Sequence, residues 1–244
     1  MGTSGLVLPV PNKSFYPDEF KASPRLTYYA SIMNSIEVNS SFYKIPQATT
    51  IKRWATEVPD DFRFTFKLFK GITHCPNLEF DASLINEFMS NVSHVGSKKG
   101  SILVQFPPSI KIKNILQIQR MIETLKENEF SHAWKVAFEF RDPSFYIEEI
   151  YELLDEAGFF CVVHDKGKAA SPLHAAMGEA VYLRFHGPDG NYRGSYADDI
   201  LYEYAGYISE WLTEGKTVFV YFNNTMGAAY QNLKALENFV SNLF

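Results

Sequence analysis

The chain has 244 residues, 46% hydrophobic and 21% charged, with a net charge of −5. That composition excludes a disordered or fibrous chain, and the acidic balance argues against a broad basic face for nonspecific nucleic-acid binding while leaving room for a local cationic pocket. No run reaches the ~18 apolar residues of a membrane span.

The opening MGTSGLVLPVPNKSF lacks the basic start and long apolar run of a secretory leader. The two cysteines, Cys75 and Cys161, are far apart and lack metal-site spacing. A cytoplasmic protein with no membrane partner is therefore expected.

In chain order, candidate strands fall at residues 2–5, 35–39, 62–68, 101–106, 135–141, 159–163, 181–186 and 217–223. Between them the pattern turns to that of amphipathic helices. Residues 114–128 put Ile115, Ile118, Met121, Ile122 and Leu125 on one helical face. Residues 147–158 do the same with Ile147, Ile150, Tyr151 and Leu154, and stop at Gly158, a C-cap residue type. Residues 198–212 begin with capping acids and repeat Ile200, Tyr204, Tyr207, Ile208 and Trp211. Residues 227–242 carry Leu233, Leu236 and Val240.

Eight strands alternating with helices predict parallel βα units, and eight units in about 250 residues is the size of a (β/α)8 TIM barrel. An open doubly wound sheet is the rival. It calls for a glycine-rich phosphate turn after the first strand, and GTSG followed by LVLPVPNKSFYP supplies neither GxGxxG nor a helix start. No linker, charge block or fixed-period repeat interrupts the alternation, so residues 1–244 are expected to form one domain. Three long connections, 6–23, 165–179 and 187–198, follow strands and are expected over the C-terminal mouth, where long loops carry function. The second holds at most a short helix.

Period two divides nearly every strand. Ile36 and Val38 oppose Glu37 and Asn39. Phe62, Phe64, Phe66 and Leu68 oppose Arg63, Thr65 and Lys67. Ile102, Val104 and Phe106 oppose Ser101, Leu103 and Gln105. Val136, Phe138 and Phe140 oppose Lys135, Ala137, Glu139 and Arg141. Val181, Leu183 and Phe185 oppose Tyr182, Arg184 and His186, and Val218, Val220 and Phe222 oppose Tyr221 and Asn223. The apolar face must pack on helices. The other becomes polar toward the C-terminal end, where barrel active sites sit. Burying ions costs several kcal/mol each unless they are paired, so this interior must be a charge network, a solvated pocket, or both. A network that only sets barrel register is the plainer alternative. Arg63 and Lys135, near strand starts, are expected at the opposite end.

The motifs GTSG, IEVNSSFYKIP (36–46), FRFTFKLFKGITH (62–74), ILVQFPPS (102–109), FEFRDPSF (138–145), YLRFHG (182–187), RGSY (193–196) and VYFNN (220–224) occur in that order. Together they resemble the YecE-like family, domain of unknown function 72, over nearly the whole chain. The resemblance implies a TIM barrel and no particular reaction. Two features depart from the family pattern: LVLPVPNKSF stands where aromatic residues usually follow GTSG, and in VVHD Asp165 fits an acidic family position while His164 is particular to this chain.

Arg presents a fork that suits carboxylate or phosphate, so a small anionic substrate, a phosphorylated sugar or a nucleotide-containing molecule, is expected among Lys67, Arg141 and Arg184. Glu37 or Glu139 is the candidate general base, His186 or His74 the acid, and Lys67 an oxyanion stabiliser or Schiff-base former. Asn39, His74, Gln105, Arg141, Asp165, Arg184, Tyr196, Asn223 and Asn224 are the candidate substrate contacts. No organic cofactor is expected. A divalent metal on Glu37, Glu139, His164, Asp165 and His186 is the second enzyme reading, although HxH and HExxH spacings are absent and the cations would crowd the ion; no residue is assigned as a metal ligand.

Cys75 beside His74 is a weak thiol candidate. His94, His132 and His174 are expected at the surface, and Trp54, Trp134 and Trp211 in helix packing. FPPS (106–109) ends the fourth strand and starts the next helix. The loop aromatics Phe15, Tyr16, Phe42, Tyr43, Tyr192 and Tyr196 can stack a base or sugar, which keeps a nucleic-acid-binding protein as the alternative from another class, beside a ligand-free scaffold. Oligomeric state is left open.

Overall fold

The computed structural model describes residues 1–243. Eight strands close a barrel in sequence order, every neighbouring pair parallel. They are β1 (Gly2–Ser4), β2 (Ser35–Val38), β3 (Arg63–Lys67), β4 (Lys99–Gln105), β5 (Lys135–Glu139), β6 (Phe160–His164), β7 (Ala180–Phe185) and β8 (Thr217–Phe222). The helices are α1 (Arg25–Ala30), α2 (Ser40–Tyr43), α3 (Ala48–Thr56), α4 (Lys70–Thr73), α5 (Ala82–Val92), α6 (Ile115–Glu127), α7 (Glu148–Glu156), α8 (Asp198–Thr213) and α9 (Ala229–Leu243). None is long and apolar enough to cross a membrane, among the described residues.

Period two explains how the barrel is filled. The outward residues Phe64, Phe66, Ile102, Val104, Val136, Phe138, Val181, Leu183, Val220 and Phe222 join one large core shared with the helices. Ile118, Met121, Ile122 and Leu125 of α6 and Ile150, Tyr151 and Leu154 of α7 meet it from outside. A second, smaller cluster lies inside the barrel: Leu103, Ala137, Phe160, Val162, Ala180, Tyr182, Phe219 and Tyr221. Fully burying one such aliphatic or aromatic side chain stabilises by ~1.5–3 kcal/mol. This apolar layer fills the interior beneath the charged residues. There Arg63 donates to the Asp60 and Phe62 carbonyls, and Lys135 pairs with Glu179 at 3.3 Å, as their early strand positions require.

The C-cap of α7 is Ala157, and Gly158, at φ +71°, follows it in the left-handed position that ends the helix. The acids expected to cap α8 sit one step further in: Ala197 is the N-cap, and Asp198 and Asp199 occupy the first turn. There their charge favours the positive end of the helix dipole. FPPS stops β4 as expected, but α6 starts only at Ile115, after a short 3-10 turn at Ile112–Asn114. The connection from β6 to β7 contains no α-helix. It makes two 3-10 turns, Gly167–Ala169 and Leu173–Ala175, of which the second buries Ala175 against the core. The barrel therefore has its full ring of strands and an incomplete jacket.

Candidate active site at the C-terminal mouth

Glu37, Glu139 and Arg184 come from β2, β5 and β7 and meet above the apolar plug. All three are buried. Arg184 donates Nη2 to Glu37 Oε1 at 2.8 Å and Nε to Glu37 Oε2 at 3.0 Å. Its Nη1 reaches Glu139 Oε2 at 3.1 Å. Glu37 also accepts from Ser4 Oγ at 2.6 Å and from the Tyr182 hydroxyl. Arg141 pairs through Nη2 with Glu139. Burial alone would raise both carboxylate pKa values. For Glu37 the Arg184 charge and the bonds from Arg184, Ser4 and Tyr182 overturn that and hold it below its usual value. For Glu139, Arg141 and Arg184 hold it well below.

His186 extends this network. Its Nε2 faces Arg141 Nη2 at 2.9 Å and Arg184 Nη1 at 3.2 Å. Guanidinium groups only donate, so Nε2 accepts and the ring proton lies on Nδ1, toward Asp165 Oδ1 at 3.3 Å. Burial brings the His186 pKa down to about 4, against the Asp165 hydrogen bond, and the ring is neutral at pH 7. His164 is equally committed. Its Nδ1 accepts from the Lys166 backbone at 3.2 Å, and Nε2 lies 2.9 Å from the Phe140 carbonyl and from the Tyr146 hydroxyl.

These contacts correct several expectations. Glu37 and Glu139 are weak bases where they stand, because every contact around them stabilises the ionised form. His186 has no proton to give from the nitrogen that faces the network. Asp165 is a positioning group below a loop: it accepts from the His186 backbone at 2.7 Å and from the Tyr196 hydroxyl, which in turn accepts from the Gly187 N–H at 2.6 Å. Asp165 and Tyr196 line a separate cavity of ≈ 630 Å³ beside Tyr204 and Tyr207 of α8. Asn224 is buried, and its Nδ2 donates to the Gly194 carbonyl at 3.1 Å and to Asn232 Oδ1 at 3.0 Å.

The remaining candidates stay together above the network. A cavity of ≈ 190 Å³ is lined by Asn39, Phe42, Tyr43, Lys67, Gln105, Arg141, Arg184, Tyr192 and Asn223. It adjoins a more open one of ≈ 420 Å³ that shares Gln105, Arg141 and Tyr192 and adds His74, Pro107, Pro108, Lys166, Lys168 and Ala169. Gln105 donates to the Phe106 carbonyl. The Lys67 ammonium stands 4.1 Å from the centre of the Phe42 ring and has no hydrogen bond or ion pair among the described residues. Burial, then Arg184, brings its pKa down to about 8, while Glu139 and Glu37 pull the other way. Arg141 Nε and Asn39 Oδ1 are buried without a partner. His74 is an exposed rim group. Loss of hydration, with Lys67, Arg141 and Lys70 nearby, lowers its pKa.

Charge bookkeeping decides the character of this mouth. Glu37, Glu139 and Asp165, which contacts the neutral His186, together match Arg141, Arg184 and Lys67 in charge. The two cavities themselves, however, are lined by Lys67, Arg141, Arg184, Lys166 and Lys168 and by no Asp or Glu.

Tyr192 forms the wall common to both cavities. Its backbone is left-handed at φ +68°, a conformation that costs a non-glycine residue of order 1 kcal/mol. Three contacts hold it there: its N–H donates to the His186 carbonyl at 2.6 Å, its carbonyl accepts from the Met226 N–H at 3.1 Å, and its ring lies 3.8 Å from Lys166 Nζ. Gly187 starts this loop at φ +97°, and a Cβ there would meet the Arg193 carbonyl oxygen at 2.2 Å. The sequence puts the connection that carries Lys166 and Lys168 over the mouth, but without periodicity it does not tell which of its side chains line the cavity. Period two does give the faces of 164 and 165: Phe160 and Val162 point inward, so His164 does too and Asp165 points out.

The other candidates sit elsewhere. Cys75 Sγ donates to the Ile72 carbonyl at 3.2 Å and its pKa is raised by burial, which makes it a poor nucleophile. His132 and His174 are exposed, and His94 is half-buried against its own helix. Trp134 and Trp211 are buried in the core and Trp54 packs on it. Among the described residues no three His, Cys, Asp or Glu side chains are grouped to hold a metal ion.

Comparison with known proteins agrees with this architecture. A solved DUF72 family protein from Thermotoga maritima MSB8 superposes with TM-score 0.70 at 25% identity, covering 99% of this chain and 97% of that one. Another from Enterococcus faecalis V583 gives TM-score 0.77 at 22% identity over 91% and 94% of the two chains. The UPF0759 protein YunF of Bacillus subtilis (strain 168) is 26% identical over 252 residues, 88% of this chain and 85% of YunF. The UPF0759 protein YecE of Escherichia coli (strain K12) is 28% identical over 164 residues, 65% of this chain and 57% of YecE. The model of the family described as "Protein of unknown function DUF72" matches residues 1–243, and the chain belongs to that family.

Proposed function

We propose that the mouth binds a small anionic substrate, a phosphorylated sugar or a nucleotide-containing molecule, and that the protein is an enzyme acting on it by acid–base chemistry centred on Lys67. The observation that carries this reading is the Lys67 ammonium, without a hydrogen bond or ion pair among the described residues, set in a cavity lined also by Arg141, Arg184, Asn39 and Asn223 and by no carboxylate. In a partly desolvated cleft such donors gain most from an anion, because they exchange few water contacts for charge-assisted hydrogen bonds. Arg141 anchors the acid group, Glu139 and His186 hold Arg141 in place, and Lys67, whose pKa is brought down to about 8, is the group suited to proton transfer.

Calorimetry with inorganic phosphate tests the reading. Saturable binding that weakens at least tenfold in Arg141→Met supports it, since a charge-assisted hydrogen bond contributes about 1.5–3 kcal/mol. Unchanged binding in a folded Arg141→Met variant rejects it. Glu139→Gln serves as the second variant, expected to weaken binding by loosening Arg141.

Phe42, Tyr43 and Tyr192 line the same cavity and would stack a base. A nucleic-acid strand held there is the second reading, and it requires affinity that falls steeply with salt. No binding at low salt removes it.

A further inference from the structure

We propose that Lys67 is a site of covalent chemistry: its ε-amine condenses with the carbonyl carbon of an aldehyde or ketone whose phosphate or carboxylate lies against Arg141. The inference rests on the anion-pocket reading and gives its substrate class.

Three features of the geometry point there. The first is that Lys67 Nζ has no acceptor among the described residues, so its lone pair, once a proton leaves, is aimed at nothing but the cavity and the Phe42 ring. The charged groups around it are Arg184 and Arg141, Glu139 and Glu37, with Lys70 and the neutral His74 at the rim. Both glutamates are already engaged by the arginines and Glu37 by Ser4 and Tyr182 as well. They do not pair with Lys67, and the two guanidiniums repel its charged form. The second is the pairing of Lys67 and Arg141 in one cavity, an amine for the carbonyl and a fork for the acid group. The third is the room beyond: the adjoining ≈ 420 Å³ cavity takes the rest of a substrate larger than a three-carbon acid. A lowered amine pKa is what such a setting produces, and a lysine freed from its proton by burial and nearby cations is the form that attacks carbonyls.

The step balances without oxidant or reductant. The Lys67 ammonium loses one proton. Its lone pair forms the C–N bond as the carbonyl π pair moves to oxygen, which takes a proton. A second nitrogen proton leaves, the hydroxyl departs as water after taking a proton, and the lone pair closes C=N. The sum is ammonium plus carbonyl giving a protonated imine plus water. The imine then withdraws electrons from the neighbouring carbon, which is the use such a group has in aldol-type cleavage, decarboxylation or isomerisation.

Borohydride trapping tests it on the intact protein. The probes are dihydroxyacetone phosphate for the phosphate source and pyruvate for the carboxylate source, with glycerol phosphate and lactate as carbonyl-free controls. The expected result is an added mass of one probe less one oxygen, mapped to Lys67, seen with one carbonyl probe in preference to the other and with neither control. Lys67→Arg retains the charge but not the nucleophile. It is expected to bind phosphate within a few-fold of the parent and to trap nothing. No adduct, or adducts spread equally over Lys67 and the surface lysines Lys13, Lys44 and Lys52, overturns the proposal. Phosphate binding without trapping removes the covalent step alone, whereas absence of binding to phosphate and to both probes removes the pocket reading beneath it.

Discussion

Two tiers of polar side chains stand one above the other at the top of this barrel. The lower one, Glu37, Glu139, Arg184 and His186, is buried and its donors meet acceptors. The upper one, Asn39, Lys67, Asn223 and Tyr192, holds an unpaired ammonium and an unpartnered Asn39 Oδ1, and Arg141 spans the two, paired with Glu139 below while lining the cavity above. Apart from Tyr192, which comes from the loop after β7, both rise from the inward strand faces and their ends. Their difference shows that an ion in a barrel mouth is no evidence of chemistry by itself: a charge whose contacts are complete holds the fold, and one whose contacts are incomplete is available to a ligand.

The largest expected effect falls on the lower tier. Arg184→Met leaves Glu37 buried without a cation, while Glu139 keeps Arg141, and should destabilise by about 3–5 kcal/mol in urea denaturation. A loss under about 1 kcal/mol would mean that the network is not what holds this end of the barrel.

Next comes pH. The folded pKa of His186 is about 4 against an ordinary 6.5. Above 6.5 the ring is neutral in both states and its full contribution is present. As pH falls from 6.5 to 4 the unfolded chain takes up the proton first, and stability drops by up to about 3 kcal/mol. His164, also lowered, acts in the same direction. The contributions of Glu37 and Glu139, whose pKa values are depressed, are present above the ordinary carboxylate value of 4.5 and are lost as pH falls below it. Denaturation curves at pH 7, 5 and 4 should therefore show a decline before the carboxylates titrate, flattened in His186→Asn. A flat response from 7 to 5 in the parent protein contradicts the neutral, doubly contacted ring.

The upper tier should behave in the opposite way. Lys67→Met removes a desolvated, unpaired cation and keeps an apolar stem over Phe42. Its stability should stay within about 1 kcal/mol of the parent, the size of the cation–π contact given up, while phosphate binding falls about tenfold. Stability lost without loss of binding would merge the two tiers into one structural network.

Much of this was legible in the sequence because a strand reports its faces at period two. The barrel, the apolar outward faces, the inward Glu37, Lys67, Gln105, Glu139, Arg141, Arg184 and His186, and the basal Arg63 and Lys135 all follow from that rule. The same rule, taken one residue further, separates Asn223 from Asn224 and His164 from Asp165. Partnership was not legible. Ser4, Glu37 and Tyr182 are joined by hydrogen bonds across 33 and 145 residues of chain, and nothing local in the sequence tells a saturated carboxylate from a free one. The periodic faces singled out in the sequence cover α6 to α9 and leave out α3 and α5, which are also amphipathic.

The missing helix between β6 and β7 has a mechanical consequence. β5 and β6 share two paired positions, against five between β4 and β5, and a strip of 3-10 turns covers β6 where its neighbours have a full helix. Local opening costs least where ladder bonds and apolar cover are fewest. Only the β1–β8 joint is as short, and the β6 sector, which lacks a covering helix, carries Lys166 and Lys168. The rim of the mouth can thus flex and reshape while the ring that anchors Arg184 and Lys67 stays shut.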